Sequence, residues 1–250
     1  MPIHRGPIRK RRLLLALGLV CLVALLCGGV VAFRAAWTWG CKMSSANGLQ
    51  QLQLAMENYR QKNGCYPPQY LADKDGRPAH SWRVLIWPYL SGDDSWKRYS
   101  FDEPWDGPHN RLLASEAPAC FRSPNADRRQ KSPFTDYVGI AGEGTPWRGM
   151  RSLRPEDLRD QSRKVIWFVE VANSGIHWME PRDIPLDQAL VGINVPGGIQ
   201  SDYPDGLPVQ MIPYGEEFLP VATSPDALRA MLTLIPDGKD KAPEPVPSVP

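Results

Sequence analysis

Hydrophobic and polar positions follow different rhythms along this chain. From Leu13 to Phe33 there is no rhythm at all: LLLALGLVCLVALLCGGVVAF is apolar on every face and carries no charge. At a rise of 1.5 Å per residue, about 20 apolar residues cross the hydrocarbon core of a bilayer, whereas a soluble surface helix keeps a polar face. The stretch predicts a transmembrane helix over 13–33. A cleaved secretory signal peptide is the other reading, with small residues at Val31-Ala32 and at Ala35-Ala36. The run, however, exceeds the roughly 7–15 residues of a signal h-region, and a retained anchor is expected.

A helical rhythm begins at Ser44. Leu49, Leu52, Met56 and Tyr59 recur at steps of three and four, with Gln50, Gln51, Gln53, Glu57 and Arg60 on the other faces. This predicts an amphipathic helix over 44–62, capped by Ser44 or Ser45 or running on from the membrane segment, and stopped by Gly64 and Pro67-Pro68. Residues 71–80 read as a loop turning at Asp75-Gly76. Trp82, Leu85, Ile86, Tyr89 and Leu90 give a second helix that Pro88 bends or shortens. Residues 91–111 read as a long polar loop, and Leu112-Leu113 as part of a short helix. The rhythm then changes to strand: 136–141 (DYVGIA) and 164–172 (KVIWFVEVA) are β-branched and aromatic. Residues 207–212 and 216–219 form a hairpin around Pro213-Tyr214-Gly215, and a short helix starts at Thr223 or Ser224 before Pro225 and runs to about Leu234. Helices and strands do not alternate, so the class is α+β. From 236 to 250 the chain is Pro-rich without periodicity and reads as a disordered tail.

Charge adds a direction to this picture. The net charge of +2 hides a block of Arg5, Arg9, Lys10, Arg11 and Arg12 ahead of the apolar run. The positive-inside rule then places residues 1–12 in the cytoplasm, the anchor in the inner (cytoplasmic) membrane, and residues 34–235 outside as an exported domain. Trp37 and Trp39 fall where an interfacial aromatic belt sits. The rest of the chain is slightly acidic, which excludes a nucleic-acid footprint.

Candidate chemistry is sparse. Cys41, Cys65 and Cys120 lie in the exported part, where disulfides persist. Three thiols allow one bridge, and sequence does not decide the pair. Without Cys-x-x-Cys, a zinc site or redox motif is not expected. His80, His109 and His177 each have a tryptophan nearby in sequence (Trp82, Trp105, Trp178). They are read as loop histidines packed on aromatics; the alternative is a ligand-binding or acid–base cluster, as in a hydrolase using one of them with a carboxylate. Asp73-x-Asp75-Gly76 opens like a calcium loop but lacks its later ligands and reads as a turn. Asp93, Asp94, Asp102, Glu103 and Asp106 make a denser acidic stretch, a solvated loop or a weak calcium site. Trp82, Trp87, Trp105 and Trp167 read as core rather than as a sugar-stacking platform. No cofactor motif is present: Gly142-Glu143-Gly144 lacks the setting of a phosphate loop, and neither Gly-x-Ser-x-Gly nor His-Glu-x-x-His occurs.

Taken in order, several segments resemble a planctomycete family of pilin-like, pseudopilin-related proteins of unknown function. They are CKMSSANGLQQLQLAMENYRQKNGCYPP with Cys41, Asn47, Leu49, Tyr59 and Tyr66-Pro67-Pro68, then ADKDGRPAHSWRVLIWPYL, DEPWDGPHNRLL, Cys120-Phe121-Arg122-Ser123-Pro124, TDYVGIAGEGT and VIWFVEVANSGIHWMEPRD. The resemblance spans roughly 41–235 and implies a pilin-like fold, with the anchor continuing into an amphipathic helix packed on an antiparallel sheet. It also singles out Cys41 and Cys120 among the possible disulfide partners. The chain departs from the family at both ends. The basic block runs straight into Leu13 without a prepilin-type processing site, and Tyr203 and Pro213-Tyr214-Gly215 stand where the family carries His-x9-Asp-Gly. The expectation is a membrane-anchored envelope protein with a structural or interaction role, not an enzyme, meeting the membrane through 13–33 and other envelope proteins through its loops. The alternative is an extracytoplasmic binding module for carbohydrate or a calcium-dependent partner.

Overall fold

A computed structural model describes residues 7–90, 92, 94–126, 132–158, 164–213 and 215–234, with side chains from Leu15 onward. The 236–250 tail, Arg5 of the basic block, Asp93 and Tyr214 lie outside the described residues. The chain divides into two compact units at Met43/Ser44.

The first unit is helical throughout its described residues and belongs to helix α1 (Pro7–Asn63). Its large apolar side chains are uncovered, Leu15 at 74% and Phe33 at 69% exposure. Phe33 and Trp37 stack one turn apart, centroids 6.5 Å apart. Thr38 donates to the Arg34 carbonyl at 3.0 Å, a back-bond within the helix.

The second unit begins with the remainder of α1. Here the expected stripe is buried: Leu49, Leu52, Met56 and Tyr59, together with Ser45 and Ala55. Leu54 faces outward. The helix ends as its sequence requires. Gly64 takes φ +75°, a left-handed conformation without Cβ penalty. Its N–H reaches the Arg60 carbonyl at 2.7 Å, and the Asn63 amide caps the Tyr59 carbonyl.

The loop expected at 71–80 is instead a small hairpin of β1 (Tyr70–Ala72) and β2 (Pro78–Ser81). Asp73 closes it: one carboxylate oxygen accepts from the backbone of Asp75 (2.8 Å) and Arg77 (2.9 Å). Such Asx turns tighten a reversal that apolar periodicity does not mark. Ser81 then caps α2 (Trp82–Ile86) by accepting from Arg83 N. Pro88 converts the continuation into one 3-10 turn, Trp87–Tyr89. The polar stretch that follows carries short 3-10 turns, Ser95–Arg98 and Asn110–Glu116. The second contains Leu112-Leu113. Buried Asn110 staples this region through Ser100 N (2.9 Å) and Ser100 O (2.7 Å).

The main sheet contains β3 (Tyr137–Ala141), β4 (Val165–Glu170), β5 (Ile184–Pro185), β6 (Gly206–Ile212) and β7 (Gly215–Pro220), in the order β5-β3-β4-β6-β7. The neighbours are antiparallel except β5, which runs parallel to β3. The sheet is therefore mixed, not wholly antiparallel. The short β5 and the helix after it, α3 (Leu186–Ala189), have no signal in a sequence this brief. The hairpin β6–β7 and helix α4 (Pro225–Leu232), capped by Ser224, stand where the pattern places them.

Each face of the sheet has its own core. One gathers the α1 stripe, Trp82, Trp87, Tyr137, Trp147, Trp167 and Phe168. The other gathers Val138, Ile140, Ile166, Val169 and Val209 with Leu228 and Leu232 of α4. Strict alternation would send Trp167 and Phe168 to opposite faces. The register shift between Ile166 and Phe168 lets both enter the first core.

Candidate functional site

The residues singled out in the sequence do not converge. His80 is buried, with its Nδ1 bonded to the Tyr99 hydroxyl at 2.8 Å and its ring tilted against Phe101. Burial pulls its pKa below the ordinary histidine value, so it is neutral and committed. His109 bonds the Arg98 carbonyl at 2.6 Å. His177 accepts from Met179 N at 3.2 Å and packs on Trp105, not on Trp178, with ring centroids 5.0 Å apart. Among the described residues, none of these rings bonds a carboxylate. Trp82, Trp87 and Trp167 are core, with Trp82 tilted on Trp147 at 4.9 Å, and Trp105 is half-buried. Asp73 and Asp75 belong to the hairpin turn and pair with Arg77. In the acidic stretch, Asp94 pairs with Lys97 (2.8 Å) and Glu103 accepts from Asn110 N (2.5 Å). No three His, Cys, Asp or Glu among the described residues are grouped to hold a metal ion. Cys41, Cys65 and Cys120 form no disulfide among the described residues, and burial pushes the Cys120 thiol up to about 12, leaving it a poor nucleophile.

The structure instead concentrates polar chemistry in two places. The first is a fully buried ion pair. Arg83, in the middle of the apolar helix α2, donates to Asp183 at 2.5 Å with both side chains at 0% exposure. The guanidinium also reaches the carbonyls of Tyr137 (3.1 Å) and Arg182 (3.4 Å) and the Ser81 hydroxyl (3.1 Å). The same Asp183 oxygen accepts from Gly139 N (2.9 Å) and Trp82 Nε1 (3.3 Å). Burial lowers the arginine pKa, but from a value so high that the charge stays in place beside its partner. The pair joins α2, β3 and the approach to β5.

The second is a carboxylate network at the end of β4. Glu170, 3% exposed, accepts from the Ser123 hydroxyl and the Tyr137 hydroxyl, both at 2.8 Å, and from Ser45 of α1. Ser45 also bonds the Tyr203 hydroxyl at 2.9 Å. Next to it, one oxygen of Asp136 accepts from Ser123 N (2.8 Å) and Arg122 Nε (3.0 Å). Burial is the leading cause that raises both carboxyls above the ordinary range. Asp136 opens into a cleft of about 360 Å³, lined also by Arg122, Asn125, Ser132, Asn173 and Asp202. The arrangement can hold a proton or bind a polar guest. The sequence carries two traces of these clusters, each an ionisable residue inside an otherwise apolar run: Arg83 in WRVLI and Glu170 in VIWFVEVA.

The second unit is thus an α+β domain with a mixed sheet, preceded by one helix long and apolar enough to cross a membrane. Residues 42–164 match the model of a protein family of unknown function, DUF1559. No curated protein and no solved structure matches the chain.

Proposed function

We infer that the chain is a pilin-like envelope protein with a structural or interaction role and no catalytic one. Residues 13–33 hold it in the inner membrane as a single pass, with residues 1–12 in the cytoplasm and the α+β domain outside. The observation that carries this reading is the uncovered apolar helix, whose large side chains from Leu15 to Phe33 are all at least 50% exposed. Leaving such a surface in water costs on the order of 20 kcal/mol, and lipid removes that cost. The basic block before it and Trp37 and Trp39 after it, both largely exposed, support the orientation. The buried face of α1 laid on the sheet supports the pilin likeness. The engagement of all three histidines supports the non-catalytic role. A second reading, an extracytoplasmic binding module, is favoured by the polar cleft beside Asp136.

Protease protection tests the topology. With an epitope tag at the C-terminus, external protease removes the tag from spheroplasts while a cytoplasmic marker survives. A tag protected until the cells are lysed contradicts the proposal.

A further inference from the structure

The ion pair of Arg83 and Asp183 leaves one acceptor unspent. Arg83, Gly139 N and Trp82 Nε1 all donate to the same Asp183 oxygen. The other oxygen, Oδ2, is buried and has no hydrogen-bond partner among the described residues, in a side chain at 0% exposure. A buried carboxylate oxygen costs stability until something donates to it. Beside this pair lies a cavity of about 330 Å³, and Asp183 belongs to its wall. The rest of the wall comes from the chain after β4 (171–176), from β5 and α3, and from 198–200, all within the described residues. The cavity is where a donor for Oδ2 has room.

Charge, lining and hydrogen bonding narrow the guest. Both charged residues of the wall are already matched, Asp183 by Arg83 and Arg182 by Glu180 at 2.6 Å, so the cavity favours a neutral molecule over an ion. Its buried lining is aliphatic: Val171, Ile176, Ile184 and Ile199. None of the described wall residues is aromatic, so a sugar finds no ring to stack on. The volume stands at the small end of ligand sites, which run from roughly 300 to 1,000 Å³. An ionised carboxylate only accepts, so the guest brings a donor. The side-chain amides of Asn173 and Gln188 also line the cavity and make no hydrogen bond among the described residues. Each offers donors and an acceptor side by side, and the group that answers both is another amide. A peptide unit with a branched aliphatic side chain has all of these features and no charge.

We propose that this cavity binds a peptide segment through one branched aliphatic residue. The guest side chain lies on Val171, Ile176, Ile184 and Ile199. A flanking amide N–H donates to Asp183 Oδ2, a charge-assisted bond, and the other amide groups meet Asn173 and Gln188. The inference rests on the interaction role proposed above and gives it a partner chemistry. The binding itself belongs to the second unit, so a failed titration and a failed topology test are separate results.

Calorimetric titration of the detergent-solubilised full chain tests this with three neutral probes. They are N-acetyl-valine methylamide, its ester isostere with oxygen in place of both N–H groups, and N-acetyl-glycine methylamide. The valine probe binds saturably. The ester isostere and the glycine probe each bind at least about tenfold more weakly, the first for want of a donor and the second for want of a side chain to bury. Gln188→Ala, at an exposed position of α3, keeps the melting temperature and weakens binding of the valine probe by roughly three- to tenfold, the loss expected for one neutral hydrogen bond. No saturable binding of the valine probe up to about 10 mM, a range that spans weak millimolar affinity, overturns the proposal. So does equal binding of the ester isostere or of the glycine probe, or a Gln188→Ala chain that binds as tightly as the parent.

Discussion

The two buried polar clusters differ in what they leave over. Around Arg83 and Asp183 the cation meets the anion directly, and five further polar groups close around the pair. Around Glu170 and Asp136 the one cation among the described residues is Arg122, held at the edge by Asp136, and Glu170 rests on hydroxyls. The first cluster pairs its two charges and ties α2 to the sheet, while the second Asp183 oxygen stays buried without a hydrogen-bond partner among the described residues, beside a cavity that Asp183 also lines. The second, among the described residues, sets two carboxylates against one guanidinium and opens on a cleft. The lesson is that a buried charge is evidence of function only after its counter-charges have been counted.

Breaking the paired cluster should cost most. Arg83→Met strands Asp183 in the core and is expected to lower unfolding free energy by about 3–5 kcal/mol, measured by denaturant titration. Adding Asp183→Asn recovers part of the loss, because the uncompensated charge goes with it. An unchanged Arg83→Met midpoint would mean that the pair is not holding α2 at all.

Next comes the approach between helix and network. A Cβ at Gly48 would stand 2.7 Å from the Tyr137 hydroxyl that bonds Glu170. Gly48→Ala is expected to cost about 1–3 kcal/mol, with Gly40→Ala, which meets nothing within 4 Å, as the silent control in the same melting experiment.

The open cluster responds with the opposite sign. Glu170 has a raised folded-state pKa. Its contribution is therefore fully present below the unfolded carboxylate value and is lost as pH rises through the folded one. Glu170→Gln removes that loss and should stabilise the domain by about 1 kcal/mol at neutral pH, with the gain shrinking toward pH 4.5, the ordinary glutamate value. Lowered His80 and His177 work the other way, losing stability as pH falls below the ordinary histidine value of 6.5. The difference between variant and parent isolates Glu170. A gain that grows on acidification would show that the glutamate is not destabilised by burial.

The smallest effect belongs to a pair in contact with water. Arg98 bonds Glu116 at 2.8 Å with the arginine 54% exposed, and Arg98→Ala should cost only about 0.2–1 kcal/mol in the same titration. A larger loss would blur the contrast between buried and surface charge.

Much of the fold is legible in the chain because it rests on local rhythm. The stripe Leu49, Leu52, Met56 and Tyr59, the stop at Gly64, the strands β3, β4, β6 and β7 and the Ser224 cap all follow from periodicity and turn chemistry. What escapes the sequence depends on distant partners. The hairpin β1–β2 is closed by one aspartate rather than by alternation. The two-residue β5 owes its place to β3, and the bulge in β4 redirects Phe168 without any unusual residue. The site is less legible still. Asp136 and Asp202 are far apart in the chain, and only folding gives them a shared cleft. The histidines, conspicuous in the sequence, are spent on Tyr99, Arg98 and Trp105.

The account stands on the helix that begins the chain. Washing membranes at high pH, which strips peripheral proteins and releases soluble ones, tests it most directly. The full-length polypeptide, at the mass of the unprocessed chain, is expected in the membrane pellet and comes away only with detergent. Recovery of the α+β domain in the supernatant at a mass shortened by the apolar segment would contradict the account.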